Sequence, residues 1–364
     1  MKSLPFNFYQ VGILCALPLE KAAVEAALDE EHERPQGIPQ EDEHSYTFGQ
    51  VGAHYVVIAC LPDGMTGKAS AAKVGTDVMR TFHIKVGLMV GIGGGAPSKA
   101  NDIRLGDVVV GRPQGTHGGV VQYDFGKELP NGFSRTAMLS KPPPALLSAL
   151  AGLRAKHERP KWNKMPEHLA KIVEEMGPEY RFPGANNDVL FESTYDHVGG
   201  PEAACDGVPS SEHCDISRVV KRPERKNPSI PVIHYGNIAS ADKVMRHAPE
   251  RDRIAKELGA LCFEMEAAGL DENFRCMVIR GICDYSDSHK HKGWQRYAAS
   301  AAAAFAKEFL GFVVPQGLDE MKPALSLHDK TNLGLTQFGG LTARQGLHYS
   351  SPWQNQRRER WELW

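Results

Sequence analysis

Short apolar runs recur along most of this chain, and helical patterns follow them. Runs of strand length occupy residues 9–17, 54–61 and 232–239, and a stretch rich in small or amphipathic residues begins soon after each. Strands that alternate with helices in this way predict a parallel or mixed sheet covered by helices. The pattern therefore predicts an α/β protein with a central mixed sheet.

Further elements follow from the same reasoning. Residues 46–49 pair with 54–61 as a hairpin, and residues 85–92 and 103–111 form two more buried strands. Pro18 suits the first turn of a helix, where its missing N–H costs nothing. The pattern of apolar and polar residues predicts helices over residues 18–28, 69–82, 145–157 and 161–175, from Ser240 through Arg246, and over 297–309.

Two acidic segments stand where predicted strands end. In Leu261–Gly269, alternation along a strand places Glu264 and Glu266 on one side. A carboxylate there can accept both hydroxyls of a sugar cis-diol, although a carboxylate favoured by the dipole of a following helix is an equally good interpretation. The next strand, residues 276–283, is followed at once by Asp284, and parallel α/β sheets place working groups at that edge.

Composition narrows the class of protein. The 364 residues are 41% hydrophobic, which suffices for one large core with insertions, and the formal net charge is −2. That charge gives no reason to expect a nucleic-acid or membrane partner, so we expect a small-molecule substrate. The seven cysteines are dispersed through apolar segments, which indicates that they are reduced thiols. With no signal peptide or membrane-length apolar run, the expected location is the cytoplasm.

Residues 181–230 are irregular and rich in Pro, Gly, Asp and Arg, which indicates an insertion into the core. Two cysteines and two histidines in it suggest zinc, but Cys205 and Cys214 lack the short spacing of a zinc knuckle, so we predict a surface loop and no metal. The basic run 218–226 is either a solvated face or the mouth of a pocket that meets phosphates. The histidines are His197 and His213.

Several motifs, in order along the chain, resemble one enzyme family. They are CALPLE at 15–20, LPDG at 61–64, LMVGIGGG at 88–95, DIRLGDVVV at 102–110, YDFGK at 123–127, IHYGNIAS at 233–240, FEMEAAG at 263–269 and VIRGICDYSD at 278–287. The chain resembles the superfamily of purine nucleoside phosphorylases and methylthioadenosine/adenosylhomocysteine nucleosidases. It is most similar to the nucleoside-phosphorylase-like domain at the N-terminus of fungal NLR-type immune receptors.

The resemblance implies a three-layer α/β/α fold over residues 8–314, with an insertion at about 141–230. Residues 315–364 match nothing in that domain and are expected to be a poorly ordered tail. The resemblance also implies no cofactor and a homo-oligomer. It assigns catalysis to Glu20, Glu266 and Asp284, although a first-turn glutamate such as Glu20 is commonly just a partner of the helix dipole. It assigns substrate binding to Gly67, Gly93, Gly94, Lys243, Val244, Phe263, Glu264, Met265 and Ser286. The aromatic residues Tyr123 and Phe125 lie near the base or a neighbouring subunit in relatives, or are ordinary core residues.

The nucleophile distinguishes the possible reactions. Family phosphorylases hold phosphate with an arginine and a hydroxyl residue at positions that here correspond to Met89 and Ile92, and neither side chain can bind phosphate. Hydrolysis is therefore the expected reaction and phosphorolysis the second. A purine-sensing module without catalysis is a third reading, which the intact carboxylates disfavour.

The expected chemistry divides the work among three acids. Asp284, protonated or sharing a proton, donates to N7 of a purine, most simply adenine. Glu266 binds the ribose hydroxyls and stabilises positive charge on the sugar, and Glu20 deprotonates the attacking water.

Overall fold

The computed structural model describes residues 2–39, 41–130, 132–136, 138–198, 214–270, 274–290 and 292–315. The tail predicted over 315–364 thus lies, from residue 316 onward, outside the described residues. The strands are β1 (Val11–Cys15), β2 (Glu30–His32), β3 (Tyr46–Val51), β4 (His54–Cys60), β5 (Val86–Gly95), β6 (Val108–Gly111), β7 (Val120–Gln122), β8 (Gly126–Leu129), β9 (Gly132–Arg135), β10 (Ile233–Ser240), β11 (Ala260–Glu264) and β12 (Cys276–Asp284). The helices are α1 (Pro18–Glu25), α2 (Lys68–Thr81), α3 (Pro144–His157), α4 (Met165–Met176), α5 (Ala248–Leu258) and α6 (Gln295–Leu310).

One mixed sheet forms the centre of the molecule, in the order β11-β10-β6-β12-β5-β1-β4-β3-β2. Strand β1 is parallel to its neighbours β4 and β5, and β5 is parallel to β12. Strands β12 and β6 are antiparallel. The two-residue pairing of β11 with β5, Cys262 with Gly95 and Phe263 with Gly94, joins the end of this order back to its middle. Five strands therefore form a closed ring. The α/β class with a central mixed sheet is confirmed.

The helices cover this sheet. Helix α6 packs against β5, β6 and β12 and is itself contacted by α1, α3 and α4, while α5 packs on β10 and β11. Helix α6 approaches the sheet closely, since its sequence is rich in alanine and Gly281 of β12 has no side chain. A Cβ added at Gly281 would lie 1.9 Å from the Ala298 carbonyl oxygen. Among the described residues, no helix is both long and apolar enough to cross a membrane.

Three sequence predictions are wrong in detail. The strand expected over 103–111 is limited to β6, because the residues before it form turns whose Asp107 accepts hydrogen bonds from Arg225 and His234. The glycines of Gly93–Gly95 continue β5 rather than following it. No helix starts at Ser240; α5 begins at Ala248, where Pro249 occupies the first turn.

Candidate active site

A cavity of about 260 Å³ opens where β1, β5, β10, β11 and β12 end. All three predicted catalytic carboxylates line it, from three different elements. Of the nine predicted binding residues, Gly67 is not part of the lining but donates its N–H to Glu266 Oε1 over 3.3 Å. The other eight lie on the wall: Gly93, Gly94, Lys243, Val244, Phe263, Glu264, Met265 and Ser286.

Glu20 is the third residue of α1 and is buried. Its Oε2 accepts hydrogen bonds from the N–H groups of Ala16 (2.7 Å) and Leu17 (2.9 Å), and its Oε1 accepts one from Ile92 (2.8 Å). The bond to Leu17 is one half of a capping box, so Glu20 does help to start the helix. Three acceptor positions are thereby used, and a carboxylate offers about four. One remains for a water molecule in the cavity.

The pKa of Glu20 is raised, chiefly because burial disfavours its charged form. The positive charge of Arg280 and the three backbone hydrogen bonds oppose that rise without cancelling it. A buried carboxylate with a raised pKa is a stronger base than a free one, which suits proton abstraction.

Glu264 and Glu266 both reach the cavity, but they are held in different ways. Strand β11 ends at Glu264, and its carboxylate accepts the N–H of Ala267 (2.9 Å) and is ion-paired with Arg280. The predicted alternation along one strand is therefore wrong for Glu266, which lies past the strand end in the bend before a short 3₁₀ turn. Glu264 is occupied with protein groups, which leaves Glu266 to face a ligand.

Burial raises the pKa of Glu266 to about 7, helped by the negative charges of Glu264 and Glu20 and opposed by Arg280. Its Oε2 lies 3.6 Å from the Arg280 guanidinium. A ligand that brings hydroxyl donors or positive charge would favour the ionised form of this carboxylate.

Arg280 is the residue that sequence reasoning missed. It is wholly buried in β12 behind the two glutamates, and its guanidinium also contacts Met89 Sδ (3.2 Å) and the Ile92 carbonyl (3.4 Å). A signal was present, since an arginine interrupts an otherwise apolar strand, and such a residue needs buried acidic partners.

Asp284, the last residue of β12, is buried and has three partners. Its Oδ2 pairs with Lys290 Nζ (2.8 Å) and accepts from Cys283 Sγ (3.1 Å), and its Oδ1 accepts the N–H of Ser286 (2.8 Å). Burial alone would raise the pKa of Asp284, but the attraction and hydrogen bond of Lys290 outweigh it and lower the pKa. This ion pair favours the carboxylate form of Asp284, so its predicted protonation during the reaction stays a prediction.

The turn after Asp284 is strained. Ser286 has φ of +53°, in the left-handed region that residues with a Cβ seldom adopt. Gly94 faces this turn, and a Cβ at that position would lie 2.1 Å from Ser286 Oγ and 2.6 Å from Asp284 Oδ1. The glycine is needed because the turn and β5 approach each other so closely.

Part of the cavity wall is apolar. Phe263 lines the cavity and meets Tyr123 edge-to-face, with ring centroids 5.6 Å apart. Tyr123 is buried, whereas Phe125 is 57% exposed, so of the two aromatic residues only Tyr123 is in the core. Lys243 at the cavity lies over the Tyr123 ring, 5.1 Å from its centroid.

The basic run 218–226 is not part of the cavity wall, and it is a solvated face only in part, since Lys221 and Lys226 are exposed while its arginines have acidic partners. Arg218 pairs with Glu192 (2.8 Å), and the side chains of Arg222 and Arg225 are largely buried against Asp188 (3.0 Å) and Asp107 (2.6 Å). Arg225, through Asp107, and Arg222, which also donates to the Ile103 carbonyl (3.3 Å), attach the insertion to the core. Of the residues considered for zinc, Cys205 and His213 lie outside the described residues.

Comparison with known proteins identifies the family. Residues 10–311 match the model of the phosphorylase superfamily. A nucleotide-binding leucine-rich repeat (NLR)-like protein of Hyaloscypha variabilis is 47% identical over 338 residues, which is 91% of this chain and 32% of that protein. The chain thus spans about a third of the length of that relative. A 5'-methylthioadenosine/S-adenosylhomocysteine nucleosidase of Mycobacterium bovis is 23% identical over 306 residues, or 82% of this chain and 95% of that enzyme.

Solved structures share the fold. A 5'-methylthioadenosine/S-adenosylhomocysteine nucleosidase of Helicobacter pylori superposes with a TM-score of 0.51 at 16% identity, covering 84% of this chain and 99% of that one. Futalosine hydrolase of the same organism gives a TM-score of 0.50 at 16% identity, covering 84% and 98%. Together with the match over residues 10–311, which is most of the chain, these findings confirm the resemblance: the protein belongs to the phosphorylase superfamily.

Proposed function

We propose that the protein is a purine N-glycosidase that hydrolyses the bond between base and ribose in an adenine nucleoside or nucleotide. The observation that carries the proposal is the convergence of Glu20, Glu266 and Asp284 on one cavity from three separate elements. Their environments differ, since the pKa of Glu20 and that of Glu266 are raised while that of Asp284 is lowered. Acids whose environments separate their pKa values are suited to different roles in one reaction.

In the proposed reaction, water attacks C1′ of the ribose while the bond from C1′ to N9 of the base breaks. Glu20 accepts a proton from the water, and the electron pair of the broken bond passes to the base. Asp284 delivers a proton to N7, so that the base leaves neutral. Glu266 accepts hydrogen bonds from the ribose hydroxyls and stabilises the positive charge that develops on the sugar.

Asp284 needs a proton before it can donate one. The ion pair with Lys290 favours its carboxylate. A purine whose N7 accepts a hydrogen bond from this carboxyl favours the protonated form instead. We therefore propose that Asp284 takes up its proton together with the substrate.

Water is the proposed nucleophile rather than phosphate. Met89 and Ile92, at the positions where phosphorylases carry phosphate ligands, offer an apolar side chain each. Arg280 touches both, but its charge is taken up by Glu264 and Glu266. Glu20 accepts the Ile92 N–H at this place, and we propose that its remaining acceptor position binds the attacking water.

Adenine is the proposed base because the enzymes of M. bovis and H. pylori are named for 5'-methylthioadenosine and S-adenosylhomocysteine. The cavity volume, about 260 Å³, lies just under the roughly 300 Å³ at which typical ligand pockets begin, which favours a compact nucleoside. We propose that Lys243, which lines the cavity, meets the 5′-phosphate of a nucleotide.

The test is an assay of free adenine after incubation with adenosine, AMP or ATP, each with and without inorganic phosphate. Release without phosphate is expected. Release only with phosphate would establish phosphorolysis, and binding without release would establish a sensor; either result contradicts the proposal. Glu179→Gln serves as a control, because Glu179 is an exposed carboxylate paired with the half-exposed Arg296.

A further inference from the structure

A second cluster of chemically competent side chains lies outside the cavity. His197 and Cys214 come from the insertion, and His289 comes from the loop that follows β12. One ligand atom from each residue lies within 4.8 Å of the others, and His197 Nδ1 is 3.1 Å from Cys214 Sγ. The three side chains are all buried, with exposed fractions of 4%, 4% and 6%. The chain therefore brings two imidazoles and a thiol together from positions far apart in sequence.

These distances fit a tetrahedral metal ion. Zinc binds histidine nitrogen at about 2.0–2.1 Å and cysteine sulfur at about 2.3 Å, so two of its ligand atoms lie about 3.3–3.7 Å apart. His197 Nδ1 and Cys214 Sγ, 3.1 Å apart, are within about 0.5 Å of that range, and the remaining distances, all under 4.8 Å, need a shift of at most about 1.5 Å.

The polar atoms of the cluster lack other partners. Within the described part of the chain, neither ring nitrogen of His289 has a hydrogen-bond partner, and Nε2 of His197 has none. A buried polar atom without a partner costs about 1–3 kcal/mol, so native proteins seldom keep several of them together. Nothing in the chemistry proposed for the cavity uses these atoms, whereas a metal ion would satisfy them.

The surroundings hold the three residues in position. The His289 ring stacks on Phe191 with centroids 4.0 Å apart. Ser288 Oγ accepts the backbone N–H of His197 (2.9 Å) and donates to Asp196 Oδ1 (3.1 Å). The insertion and the loop after β12 are therefore joined by direct hydrogen bonds beside the cluster, which limits how far its members can separate.

We propose that His197, Cys214 and His289 bind one zinc ion. Two imidazoles and a thiolate are a donor set that zinc favours over harder ions such as magnesium or calcium. The thiol proton of Cys214 is released to solvent as the sulfur–zinc bond forms. The proposal differs from the sequence-based expectation of no metal. Its third ligand, His289, could not be found from residue spacing because it lies 75 positions beyond Cys214.

The ion would connect two parts of the molecule. Cys214 and His197 belong to the insertion, and His289 is separated from Asp284 by four residues within one loop. The zinc would thus stabilise the loop on which the proposed proton donor depends. The site itself is independent of the proposed function, because metal content is measured without any substrate.

The experiment is elemental analysis of the purified full chain, followed by removal of the metal with a chelator and its return. About one zinc per chain is expected, with a fall in Tm of about 5–10 °C on removal that added zinc reverses. The metal-free protein should take up Co²⁺ and show the absorption band of a thiolate-bound cobalt ion.

Variants locate the site. Cys214→Ser and His289→Gln should each weaken zinc binding at least about 100-fold, since even residues around a metal's ligands contribute 10–100-fold. Cys60→Ser and His117→Gln remove a thiol and an imidazole elsewhere and should keep the ion. The proposal is overturned if wild-type protein neither contains zinc nor binds it when supplied, if the cobalt form lacks the thiolate band, or if Cys214→Ser retains full zinc content.

Discussion

The cavity holds Glu20 and Asp284 by opposite means. Glu20, at the start of α1, is bound by three backbone N–H groups, and burial still leaves its pKa raised. Asp284, at the end of β12, is equally buried, but the ammonium group of Lys290 lowers its pKa. The N–H dipoles and the charge of Arg280, which is not ion-paired with Glu20, do not fully compensate the burial of that carboxylate, whereas an ammonium group in direct contact at 2.8 Å compensates the burial of Asp284. The fold can therefore keep two acids in one cavity with different affinities for a proton.

Loss of the proton donor should have the largest effect. Asp284→Asn keeps an oxygen for the Ser286 N–H but cannot donate a carboxyl proton, so kcat should fall by about 10²–10⁴. The measurement is the rate of adenine release, with thermal unfolding to show that the variant is folded. Turnover at the wild-type rate would remove Asp284 from the mechanism. Glu179→Gln, the exposed control, should leave kcat unchanged.

Removal of the buried cation should mainly affect stability. Arg280→Met leaves Glu264 and Glu266 as buried charges without their partner, and we expect a loss of about 3–5 kcal/mol in the free energy of unfolding. Urea denaturation measures it. Adding Glu264→Gln to Arg280→Met should restore part of the loss. An unchanged urea midpoint in the single variant would mean that the pair contributes nothing.

Crowding the proton donor tests how much its position matters. In Gly94→Ala the new methyl group must displace Ser286 or Asp284, and kcat should fall by about 100-fold, as expected for a displacement of about 1 Å. The matched control is Gly152→Ala in α3, where the added Cβ meets only an ordinary contact of 3.5 Å. Similar kcat values for the two variants would show that the close approach of Gly94 is unimportant.

The smallest expected effect is a pH dependence of stability at Glu266. Its pKa of about 7 lies above the usual value of 4.5, so the native state binds more protons than the unfolded state between these values. Its contribution is therefore most favourable at low pH and declines as pH rises through about 7. Arg280, Glu264, Glu20 and the Gly67 N–H are the groups that set this pKa.

Glu266→Gln removes that titration. Its stability relative to wild type should rise by about 1–3 kcal/mol between pH 5 and pH 8. Unfolding curves at the two pH values measure the change, and Glu179→Gln should show none. A relative stability that does not change with pH would mean that Glu266 titrates near its usual value.

The sequence predicted those parts of the site that follow from strand ends. Glu264 and Asp284 could be placed at strand ends because an apolar strand stops at each of them, whereas the binding roles of Glu264, Gly93 and Gly94 came from the resemblance to the superfamily. The α/β class followed from the spacing of the strands. These features depend on local pattern, which a single sequence carries.

Other parts depend on contacts between distant segments. Arg280 interacts with Glu264 and Glu266 only once β11 and β12 are folded, and Lys290 determines the protonation of Asp284 through a turn that no pattern predicts. The helix expected from Ser240 failed for a similar reason. Asp242 there accepts the Lys68 N–H and donates its own N–H to Asp124, which holds the segment in an extended loop.

The closure of the strand ring has one more consequence. Only two residue pairs, Cys262 with Gly95 and Phe263 with Gly94, join β11 to β5, yet they fix the position of Glu264 relative to the glycines at the end of β5. Because side chains alternate along a strand, an offset of one residue where β11 meets β5 would turn Glu264 away from Arg280. Mutations that weaken this pairing would therefore impair the proposed activity by shifting the strand register, with every reactive group still present in the polypeptide.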